Sequence, residues 1–182
     1  IIRYILLPLF IILFIPFKSY SLIEVDITRG NLNPLPVAVS PLSIDEQSKK
    51  GFERLLKKKN IGEEISSIVE NNLKISGLFN PLSKDAFLQA PDIANLKPRF
   101  EDWNLIKAQA LITGKVTNVE DKLRVEFRLW DVLAGKEMMA LAFTTVPTNW
   151  RRVGHIISDK VYERLTGEKG YFDTRIIYVS EK

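Results

Sequence analysis

"LRVEFRLWDV", residues 123–132, sets Leu123, Val125, Phe127 and Leu129 against Arg124, Glu126 and Arg128. An apolar residue at every second position is the signature of a strand with one dry face and one wet face. On its amino-terminal side "ALITGKVTNV" (110–119) reads as another strand, turning at Glu120 and Asp121. On its carboxy-terminal side "AGKE" makes a second turn into "MMALAFTTV" (138–146). Three meandering strands share one apolar face, and such a face must be covered, most simply by helices.

Two helical stripes are available for that cover. In residues 62–77, Ile65, Ile68, Val69 and Leu73 recur at helical spacing, with Glu63 and Glu64 in the first turn and Gly77 as the stop. In residues 149–167, Trp150, Val153, Ile157, Val161 and Leu165 form a second stripe, with Asn149 placed as N-cap and Gly167 as terminator. "PVAVSPL" (36–42) reads as a short buried strand closed by Pro41, and "LFNPLS" (78–83) as another. Residues 84–101 read as a proline-broken loop, followed by a short helix over 101–109 with Trp103 and Ile106 inward. The expected fold is α/β: a mixed sheet of about five strands with helices packed on one face. Strand order beyond the meander is not legible.

The charge is uneven. The net +4 includes Arg3 and Lys18 of an apolar leader that holds no acid. "KKGFERLLKKKN" (49–60) has six basic residues against Glu53 alone, so the remainder is slightly acidic. One local basic patch does not make the broad basic face of a nucleic-acid binder. Residues 43–60 read as a basic insertion in a domain spanning 36–169. Phe52, Leu55 and Leu56 give it a small amphipathic face, open to two readings: a solvated surface element, or a contact with anionic membrane.

Residues 1–21 hold Arg3, an apolar run interrupted by Pro8 and Pro16, and Ser19 and Ser21 at the −3 and −1 positions of a cleavage site. The run is shorter than the ~20 residues of a spanning helix. A signal peptide is expected, with a retained anchor as the alternative. The chain has no Cys, which removes disulfides and cysteine-ligated zinc from consideration. Its single histidine, His155, lies at the edge of the last apolar stripe and reads as a hydrogen-bonded helix residue. No nucleophile–base pair, metal spacing or phosphate loop accompanies it, so no enzyme, cofactor or metal is expected.

Between leader and domain, residues 22–35 form an extended tail and linker. Ile23, Val25 and Ile27 alternate with Glu24, Asp26 and Thr28 before Arg29 and Gly30 break the pattern. Such a strand needs a ladder partner, either on its own sheet or on another protein.

The carboxy-terminal third carries a longer signature. "RRVGHIISDKVYERLTGEKGYFDTRIIYV" (151–179) resembles the TolB family, periplasmic proteins of the Tol–Pal cell-envelope system. The matching residues are Gly154, His155, Asp159, Leu165, Thr166, Gly167, Gly170, Phe172, Thr174, Arg175 and Ile176, and "SGLFNPL" (76–82) is similar as well. This resemblance implies a non-enzymatic adaptor serving outer-membrane integrity and cell division. It implies that Leu22, Ile23, Glu24, Val25, Asp26, Ile27 and Thr28 bind the carboxy-terminal domain of TolA, and that His155, Asp159, Thr166, Gly167 and Arg175 form an interdomain structural motif. Residues 170–182 are then expected to open a β-propeller that binds Pal and is otherwise absent from this chain. A monomer is expected. The alternative is the front part of a periplasmic propeller-containing serine peptidase, which a Gly-x-Ser-x-Gly motif after the propeller would reveal.

Overall fold

A computed structural model describes residues 33–174. The leader, the tail residues 22–28 and Arg175 lie outside the described residues. The first strand, β1 (Leu35–Val39), is followed by a two-residue strand, β2 (Ser43–Ile44). Two helices follow, α1 (Glu46–Leu56) and α2 (Ile61–Ile75), and then β3 (Phe79–Pro81). Short helices α3 (Pro91–Leu96) and α4 (Phe100–Leu105) lead into the meander β4 (Ala110–Val119), β5 (Lys122–Asp131) and β6 (Lys136–Thr145). Helix α5 (Trp150–Thr166) is the last described helix.

The sheet order is β3-β1-β4-β5-β6. β1 runs parallel to both β3 and β4, while β4, β5 and β6 are antiparallel. β2 continues the line of β1 along β4, pairing Ser43 with Lys115. Pro41 interrupts that line, because proline cannot donate to a ladder. Ser40 N–H still reaches Ile112 O at 3.0 Å, and Ser43 Oγ donates to Gly114 O at 3.1 Å.

The apolar face read from β5 is the floor of the main core. Leu123, Val125, Phe127 and Leu129 are each at most 1% exposed. They share a cluster with Val37 and Val39 of β1, Ile65, Val69 and Leu73 of α2, and Val153, Ile157, Val161 and Leu165 of α5. At 20–33 cal/mol per Å² of apolar surface, each such aliphatic side chain contributes about 1.5–3 kcal/mol on burial. The structure adds a smaller layer on the opposite face. There Ala38 and Leu111 meet Ala94 of α3 and Trp103 of α4. Topology explains it. The β1-to-β3 crossover moves one way across the sheet and the β3-to-β4 crossover moves back. Parallel crossovers keep one hand, so a reversal of direction puts the second crossover on the other face. Helix α3 lies in the stretch expected to be loop. Its six residues are too few to display a period, and Pro91 at its start and Pro98 beyond its end bound it.

Helix α1 corrects the reading of residues 43–60 as a solvated surface element. Asp45 caps it, accepting from Ser48 N–H at 2.8 Å. Phe52 is fully buried in the main core, and Ser48 Oγ accepts from Asn118 N–H at 2.9 Å. Phe52 and Leu56 of the small apolar face are therefore used inward, while Leu55 stays exposed. Four of the six basic residues also pair with carboxylates: Lys49 with Glu46, Arg54 with Asp121, Lys58 with Glu64 and Lys59 with Glu53.

Candidate functional site

The sequence points to two places. One is the tail, which joins the described part at Asn33 and Pro34, both exposed, just before β1. The other is α5 and the segment that follows it.

Helix α5 is seated on α2 through Gly154. A Cβ there would lie 2.9 Å from Ile68 Cγ2, so the glycine lets the α5 backbone sit directly against the Ile68 side chain of α2. One residue on, His155 accepts at Nδ1 from the Asn72 amide nitrogen at 2.9 Å. An amide nitrogen only donates, so Nδ1 is the acceptor and the ring proton sits on Nε2. The same amide donates to Ser158 Oγ at 2.9 Å, and Ser158 donates onward to Gly154 O at 2.9 Å. His155 is thus a bridge between helices. Asn72 and Ser158, which complete the bridge, were missed in the sequence. Their signal is that each is a polar residue next to an apolar stripe position.

Helix α5 ends at Gly167, with φ of 75° and its N–H donating to Glu163 O at 2.9 Å. The left-handed conformation suits glycine. Thr166 Oγ1 donates to Tyr162 O at 2.8 Å and accepts from Glu168 N–H at 3.1 Å. Asn149 does not cap the other end. Its amide donates to Thr145 Oγ1 at 3.0 Å, and a 3₁₀ turn over Pro147–Asn149 leads into the helix.

Past Gly167 the chain folds back along α5. Asp159 Oδ1 accepts from Phe172 N–H at 2.6 Å, and Oδ2 accepts from Asp173 N–H at 3.0 Å. Arg152 Nε reaches both Asp173 oxygens at 3.1 Å. Tyr162 meets Tyr171 and Phe172 edge-on, at 5.5 and 5.8 Å between ring centroids. Burial, first of all, raises the Tyr162 phenol above its ordinary pKa. On the outer side of α5, Lys160 donates to Glu163 at 2.8 Å. That bond raises the Lys160 pKa and lowers that of Glu163.

The structure therefore brings His155, Asp159, Thr166 and Gly167 onto one helix, where each holds backbone or a neighbouring helix in place. Among the described residues no three His, Asp or Glu side chains gather as a metal site. Nor is any described helix long and apolar enough to cross a membrane.

Fold and site together define a small α/β domain whose polar groups hold helices and an exiting chain in position. Residues 23–138 match the TolB amino-terminal domain model. The chain is 81% identical over 174 residues to the Tol-Pal system protein TolB of Pelagibacter ubique (strain HTCC1062), a match covering 96% of this chain and 39% of that protein. It belongs to the TolB family. In three dimensions it superposes on the crystal structure of TolB from Acinetobacter baumannii with a TM-score of 0.62 and 22% identity, over 84% of this chain and 33% of that one.

Proposed function

We propose that this chain is the amino-terminal part of a non-enzymatic periplasmic adaptor of the Tol–Pal system. Its tail binds the carboxy-terminal domain of TolA by strand addition, and contact with Pal belongs to a propeller that follows. The observation that carries this reading is the tail's own pattern. Ile23, Val25 and Ile27 alternate with Glu24, Asp26 and Thr28 upstream of β1. An extended peptide of this kind adds to an exposed sheet edge, where backbone bonds supply affinity and alternate side chains fix the register. Membership of the TolB family supports a partner within the Tol–Pal system, and this reading takes TolA as that partner. The pairing of four of the six basic residues in 49–60 weighs against a second, membrane-directed role for that segment.

Calorimetric titration of the TolA carboxy-terminal domain with residues 22–182, beside a version starting at Asn31, tests the reading. Binding by the first alone places the contact in the tail. Equal binding by both moves it onto the folded domain and overturns the tail assignment.

A further inference from the structure

We propose that residues 170–173 form a rigid coupling that fixes the direction in which the chain leaves α5 at Thr174, with Asp159 as its positioning residue. Three kinds of restraint converge on this segment. First, each Asp159 carboxylate oxygen accepts one of two successive backbone N–H groups, from Phe172 at 2.6 Å and Asp173 at 3.0 Å. Hydrogen bonds to an ionised acceptor are about twice as strong as neutral ones, and paired neighbouring N–H groups suit an anion. Second, Gly170 lies directly on the helix. A Cβ there would stand 2.4 Å from Asp159 Cα, a contact with backbone that cannot yield cheaply. Third, Arg152 grips Asp173 at 3.1 Å from two turns nearer the helix start, on the same face as Asp159. The Tyr162 ring meets those of Tyr171 and Phe172 edge-on, and Phe172 packs on the main core.

A flexible linker has no fixed partners for its backbone and samples many directions. This segment has side-chain partners for two consecutive amides and a contact at Gly170 too close to admit a side chain. The chain therefore reaches Thr174 in a direction set by α5.

Backbone ¹⁵N relaxation and amide exchange on the labelled chain test the proposal. In the wild type, Phe172 and Asp173 should show helix-like order parameters of about 0.85. In Asp159→Ala they should fall below about 0.6, with amide exchange at least ~10-fold faster, while β5 amides keep their protection. Asp159→Asn preserves volume but presents a single acceptor oxygen, so it should release one of the two amides. It decides the question if the alanine variant does not fold. Mobile Phe172 and Asp173 in the wild type would overturn the coupling. So would unchanged order in both variants. A loss of protection spread evenly over the domain would overturn the positioning role and leave Asp159 as a stability residue only.

Discussion

Asn72 joins α2 to His155 on α5 with an amide nitrogen 2.9 Å from Nδ1, and the second hydrogen of that nitrogen serves Ser158, also at 2.9 Å. The two helices are thus held by a polar bridge as well as by their apolar stripes. Asn72→Ala removes the donor and leaves partly buried acceptors unpaired, which costs about 1–3 kcal/mol. Urea unfolding should show a lower midpoint with an unchanged slope. An unshifted midpoint would show the bridge to be idle.

Gly154→Ala forces a Cβ to 2.9 Å from Ile68 Cγ2. Overpacking of this kind costs about 1–3 kcal/mol. The penalty should shrink when Ile68→Ala is combined with it, because that change removes Cγ2, the atom nearest the new methyl. A double-mutant cycle measures this. Strict additivity would mean that the clash is relieved elsewhere.

Asp45 caps α1, and its carboxyl lies below the ordinary carboxylate pKa, chiefly because Ser48 N–H bonds to it. A depressed folded pKa gives stability above the unfolded value that is lost as pH falls through the folded one. At pH 7, Asp45→Ala should cost about 1 kcal/mol. The gap between wild type and variant should begin to close near pH 4, where carboxylates ordinarily protonate, and vanish once pH passes the depressed folded value. Thermal unfolding at neutral and acid pH reads both points. A gap that persists at the lowest pH tested would assign the loss to packing instead.

Phe52→Ala should cost about 3–5 kcal/mol, as an emptied core site does. Charge reversal at Lys50 or Lys57 should stay within about 0.5 kcal/mol. If denaturant titration found the phenylalanine variant as stable as the wild type, α1 would be an appendage after all.

Much of this architecture was legible in the residues themselves. The alternation at Leu123 to Leu129 marked β5, and its two turns marked β4 and β6, because a half-buried strand writes its burial pattern directly into its sequence. The stripes of α2 and α5 did the same at helical spacing. Trp103 was read inward correctly, although its partner Gln89, whose Oε1 accepts from the indole at 2.7 Å, gave no local sign. What stayed hidden was non-local. Nothing near Leu35 says that it pairs with Phe79, 44 positions away, so neither the strand order nor the second layer could be read. Phe52 was masked by its surroundings: one aromatic among six cations looks solvated until the sheet beneath it is known.

The α5 motif was found by resemblance and explained by geometry. Gly154, Asp159 and Gly170 each hold another stretch of chain at close range. Arg152 and Asp173 are 21 residues apart, and no spacing rule would have paired them.

The placement of β1 has a mechanical meaning. The strand lies inside the sheet, hydrogen-bonded to β3 on one side and β4 on the other, and the chain enters it through Asn33 and Pro34. Tension applied from the amino-terminal side along the strand axis meets both ladders in shear, so their hydrogen bonds must fail together. The same tension on a terminal hairpin would unzip bonds one at a time. A tug on the tail is therefore delivered to the middle of the domain, at a strand held by ladders on both sides.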